Sequence, residues 1–84
     1  MIAYLDSSAL VRCYLPDEPR APEVRRLIDD LSITTVTGSW TRIEASGAFV
    51  RAARAGRGNV SELEQAFGAD TSPAGGPVVV VDVS

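Results

Sequence analysis

The chain has no histidine, no lysine and a single cysteine among its 84 residues, and it has no long apolar run. Without histidine it lacks the usual proton shuttle and the commonest metal ligand. Ser-His-Asp and Cys-His catalysis and histidine-containing zinc sites are therefore excluded within this chain. The oxygen ligands that remain suit Mg²⁺, Mn²⁺ or Ca²⁺. Cys13 has no partner for an internal disulfide, and its place in an apolar helical pattern suits a small buried side chain. No segment approaches the roughly 18 apolar residues of a membrane span. Asp6 interrupts the first apolar run and no basic segment precedes it, so no secretory signal is read. A soluble, cytoplasmic protein is the expectation.

All eight basic residues are arginine, set against eleven acids for a net charge of -3. Such a balance argues against bulk nucleic-acid binding, although clustered arginines can still make a local phosphate-binding strip. The length suits one small domain over residues 1–84, and 45% hydrophobic residues is an ordinary share for a globular chain.

Ile2 to Leu5 reads as a short buried strand that stops at Asp6, where a helical pattern of Ala9, Leu10, Cys13 and Tyr14 begins with Ser7 or Ser8 as its cap. Leu15-Pro16 closes that helix. A second helix starts near Pro22, with Val24, Leu27 and Ile28 as its apolar stripe. The β-branched stretch Ser32 to Val36 is a second strand, and a third, longest helix runs from Trp40 or Thr41 to Ala55 before Gly56. Ser61 to Phe67 reads as a fourth helix with Leu63, Ala66 and Phe67 facing inward, and Val78 to Val81 as a third strand. Strands alternating with helices predict an α/β fold with a parallel sheet covered by helices. A continuous valine strand also expects cover on both faces and a following helix, which Asp82 would begin.

Two carboxylates stand where chemistry is placed in such folds: Asp6 at the carboxyl end of the first strand and Glu44 early in the third helix. Together they could hold a divalent cation against a phosphate-bearing substrate. Equally, Asp6 could serve only as a helix cap and Glu44 as a solvated helix residue. Ser7 and Ser8 read as caps, because no histidine or lysine exists to activate them. Arg51 and Arg54 share the Glu44 face, where they could orient RNA phosphates, meet a partner's carboxylate or form a solvated basic strip. Trp40 reads as a core or interface anchor.

The opening Ile-Ala-Tyr-Leu-Asp-Ser-Ser-Ala-Leu-Val, joined to Thr-Arg-Ile-Glu-Ala at residues 41 to 45, resembles the PIN domain of VapC-type toxins. These are Mg²⁺-dependent ribonucleases of bacterial toxin–antitoxin pairs, with a helix-covered parallel sheet and an acidic site built from separated motifs. The resemblance implies a PIN-like fold, Asp6 and Glu44 as catalytic metal ligands, and Mg²⁺, or alternatively Mn²⁺, as the cofactor. RNA is the implied substrate and a cognate antitoxin the implied partner, with a homodimer also compatible. Members of the family continue through two further acidic motifs, so by this resemblance residues 1–84 are the amino-terminal portion of such a domain, its carboxy-terminal part missing. Two alternatives stand beside the ribonuclease: a truncated, inactive remnant that at most binds an antitoxin or other partner, and an unrelated α/β module with an Asp-centred Mg²⁺ site.

Overall fold

A computed structural model describes residues 1–82. The chain runs β1 (Ile2–Tyr4), α1 (Ser7–Arg12), α2 (Ala21–Asp29), β2 (Thr34–Gly38), α3 (Trp40–Arg54), α4 (Val60–Asp70) and β3 (Val78–Val81). The three strands form one parallel sheet in the order β1-β2-β3. Ile2 is opposite Thr34, and Thr35 is opposite Val78. The α/β class and parallel sheet expected from the sequence are therefore present. All three strands deliver their carboxyl ends to one edge, where Asp6, Ser39 and Asp82 follow β1, β2 and β3.

Local chemistry explains each boundary. Asp6 caps α1 by accepting the Ala9 amide at 2.9 Å, so the cap is Asp6 and not Ser7 or Ser8. Pro22 lies in the first turn of α2. Strand β2 begins later than its β-branched run suggests, because the Asp30 carboxylate accepts the Ser32 amide and hydroxyl and holds that segment in a turn. Past Val36 the strand continues through Gly38, which pairs with Val81. Helix α3 stops where Gly56 takes a φ of 75°, a left-handed conformation that glycine adopts without steric cost. Asn59 caps α4, which extends to Asp70, past the expected end at Phe67.

The core lies on one side of the sheet. Leu10, Ile28, Ala45, Phe49, Ala52, Leu63 and Phe67 from the four helices join Tyr14, in the turn after α1, and Val78 of β3. At its centre the rings of Tyr14, Phe49 and Phe67 meet edge to face with centroids 5.6 to 6.0 Å apart, joining the turn after α1 to α3 and α4. Contacts of this kind add about 0.5–1.5 kcal/mol each beyond the area they bury. Strand alternation sends Thr35, Thr37 and Val78 into this core and points Ile2, Tyr4, Val79 and Val81 the other way. Those four are exposed, Ile2 by 74% and Tyr4 by 60%, so among the described residues the second face of the sheet is apolar and bare. Trp40 is exposed rather than part of the core, and Ala66 also faces outward. A further helix begun by Asp82 would rest on residues 83 and 84, which lie outside the described residues.

Candidate metal and nucleic-acid site

A chain of buried hydroxyls fixes the junction where β1 gives way to α1. The Leu5 amide donates to the Val36 carbonyl at 2.8 Å, keeping the end of β1 in the ladder. Thr37, fully buried on β2, donates its hydroxyl to the Leu5 carbonyl at 2.8 Å. The Thr37 hydroxyl oxygen also lies 2.7 Å from the hydroxyl of Thr41 in the first turn of α3. One residue beyond Leu5 is Asp6, and three beyond Thr41 is Glu44. The two carboxylates are therefore set by one polar link running through the core, whose loss would leave buried groups unpaired.

Ser7 completes the arrangement. Its hydroxyl donates to the Glu44 carboxylate across 37 residues of sequence, tying the first turn of α1 to the outer face of α3. Next to it, Ser8 donates to Oδ1 of Asp6 at 3.0 Å, the same oxygen that accepts the Ala9 amide. These two donors, the amide first, hold the Asp6 carboxyl below its ordinary value of 3.8, so it is ionised at neutral pH. No hydrogen bond or ion pair among the described residues engages Oδ2 of Asp6 or Oε1 of Glu44.

Between α1 and α3 lies an open hollow of about 410 Å³, walled by Ser7, Ser8 and Val11 on one side and Glu44, Gly47 and Arg51 on the other. Asp6 precedes this wall in sequence but does not itself line the hollow. Arg51 lies beside Gly47, where an added Cβ would stand 3.3 Å from its Nη1. Arg54, the other arginine expected on this face, is exposed and does not line the hollow.

Two other charged clusters are already occupied by their own partners. Asp70 accepts the Tyr14 hydroxyl at 2.7 Å and Nη2 of Arg25 at 2.6 Å, and the Arg25 guanidinium sits 5.7 Å from the Tyr14 ring centroid. Burial first, and the Asp70 carboxylate second, push the Tyr14 phenol far above its usual range. Burial likewise raises the Cys13 thiol, which packs half-buried against the core and not within it as expected. On the surface, Arg57 grips Asp17 through two hydrogen bonds of 2.8 Å.

Sequence reasoning named Asp6, Glu44 and Arg51, and the hollow brings the last two together with the segment that follows Asp6. It missed Thr37 and Thr41 as the link between the carboxylates and Ser7 as the bridge to Glu44. The core-facing register of Thr37 was the available signal, since a buried hydroxyl calls for a partner; Thr35 on the same face is buried without one. Among the described residues no group of three or more His, Cys, Asp or Glu converges as a metal cage, and no helix is long and apolar enough to cross a membrane. Comparison with protein-family models, with curated proteins and with solved structures found no match for this chain.

Proposed function

We propose that the chain is a divalent-metal-dependent ribonuclease of the VapC-type PIN class, with Asp6 and Glu44 as metal ligands, Glu44 from the wall of the α1–α3 hollow and Asp6 from the residue preceding it. The observation that supports this reading is the Ser7–Glu44 hydrogen bond, which draws a carboxylate of α3 to the segment beginning at Asp6. The donor set suits Mg²⁺, and also Mn²⁺, because Mg²⁺ is commonly bound by one or two carboxylates while waters and substrate phosphate fill its other positions. When bound, the cation supplies positive charge for a phosphodiester under attack and lowers the pKa of a water nucleophile.

The protein's own residues divide the remaining work. Asp6 presents an ionised carboxylate from a capped, fixed backbone. Glu44 presents one oxygen while Ser7 orients the other. With two such carboxylates among the described residues, metal affinity is expected to be weak, since charge and ligand number set it. In this reading the protein acts in the cytoplasm, with RNA as substrate and an antitoxin or a second copy as protein partner.

A second reading is a protein-binding domain without catalysis. It is favoured by the bare apolar face of Ile2, Tyr4, Val79 and Val81, because parallel sheets are normally covered on both sides. Incubation of the purified chain with RNA separates the two. The ribonuclease reading expects cleavage that requires Mg²⁺, stops with chelator and is lost in Asp6→Asn. Equal cleavage by the wild type and Asp6→Asn would contradict it.

A further inference from the structure

Five of the eight arginines, Arg12, Arg20, Arg26, Arg51 and Arg54, have no side-chain partner among the described residues, and of these only Arg51 lines the α1–α3 hollow. Arg25 and Arg57 are in ion pairs, and Arg42 reaches the Thr71 carbonyl at 3.3 Å. Arg51 has no hydrogen bond or ion pair with any described residue, yet it lines the hollow that Glu44 also lines.

Its placement explains why it stays unpaired. Arg51 follows Glu44 by seven residues, which puts both on one side of α3 but two turns apart, beyond the three- or four-residue spacing at which helix side chains pair. Ala48 occupies the position at which a cation would neutralise Glu44, and the Ser7 hydroxyl takes the carboxylate instead. Helical side chains lean toward the amino end, and Arg51 accordingly reaches back to Gly47, about one turn from Glu44. Any larger residue at position 47 would crowd Nη1 at 3.3 Å.

We infer that Arg51, its guanidinium seated beside Gly47 in the α1–α3 hollow, is a phosphate-binding subsite that holds an RNA strand beside the two carboxylates. Guanidinium is suited to this because it stays charged and offers paired donors to a phosphate. In a chain of net charge -3, an unpaired cation in a concave site supplies local attraction that the overall charge does not. The phosphate engaged is a neighbour of the one hydrolysed, because the guanidinium lies about a turn away from Glu44. The identification of the ligand as RNA rests on the ribonuclease reading; the anion subsite itself does not.

The test uses a short fluorescein-labelled single-stranded RNA bound to the full chain in EDTA, where no metal-dependent step takes part, with anisotropy read over a range of salt. Arg51→Ala is expected to weaken binding about fivefold and to reduce the log–log salt slope by about 0.7, the contribution of one phosphate contact on a single strand. Gly47→Ala is expected to weaken it by a smaller factor through crowding, and Arg54→Ala to leave it unchanged. Unchanged affinity and slope in Arg51→Ala would overturn the subsite. So would a hexaglutamate peptide that binds the chain more tightly than the RNA, since the hollow would then take a protein carboxylate. RNA bound through Arg51 but never cleaved when Mg²⁺ is added would keep the subsite and remove the catalytic reading. Cleavage that is equal in the wild type and Arg51→Ala would do the reverse.

Discussion

Asp70, at the end of α4, accepts the Tyr14 hydroxyl at 2.7 Å and the Arg25 guanidinium at 2.6 Å, and its side chain is only 16% exposed. Asp6, at the start of α1, is exposed and accepts only the Ala9 amide and the Ser8 hydroxyl. The first carboxylate has its cation built in and holds α4 against α2 and the turn after α1. The second has neutral donors on one oxygen alone, so its charge remains available. Glu44 belongs with Asp6, since its one partner is the uncharged Ser7. The difference separates a carboxylate whose cation is part of the fold from carboxylates with no cation paired to them among the described residues.

Removing Asp70 should have the largest effect on stability. Asp70→Ala leaves a part-buried hydroxyl and guanidinium without their acceptor, at a cost of about 2 kcal/mol after allowing for the exposure of Arg25. In a domain of this size that lowers Tm by roughly 8–16 °C, readable by circular dichroism. RNA binding by the folded variant should stay at the wild-type level. A large loss of RNA binding in folded Asp70→Ala would erase the distinction between the clusters.

Asp6 should behave in the opposite way. Asp6→Ala removes the α1 cap and costs about 1 kcal/mol, whereas Asp6→Asn keeps a good cap and stays within about 0.5 kcal/mol of wild type. The pH dependence is smaller still and has a definite sign. Because the folded carboxyl lies below its ordinary value of 3.8, its ionic contribution is complete above that pH and disappears as pH falls through the folded value. Urea melts at successively lower pH should therefore show the wild type converging on Asp6→Asn. Divergence toward low pH would contradict this assignment.

Much of the frame was legible in the sequence because its signals are local. The valine run of β3, the proline opening α2 and the glycine after α3 each act on their own neighbours. The positions of Asp6 and Glu44 were legible for the same reason, one after a strand end and the other on a helix. The Asp70 cluster was not, since Tyr14 and Arg25 lie 56 and 45 residues away from it. Nor was the Ser7 bridge to Glu44, where a hydroxyl suited to local capping bonds across the fold instead. The sheet's bare face was hidden for a related reason: four consecutive valines read as buried on both sides, yet Val79 and Val81 are exposed.

The most direct measurement of the central claim is a titration of Mn²⁺ into the ¹⁵N-labelled chain, with paramagnetic broadening read at each backbone amide. Broadening should concentrate on residues 6–9 and 44–48, leave Asp70 and Thr71 sharp, and be lost in Asp6→Asn, a substitution that preserves the cap. Broadening centred on Asp17 or Asp30, or an unchanged pattern in Asp6→Asn, would contradict a metal site at Asp6 and Glu44.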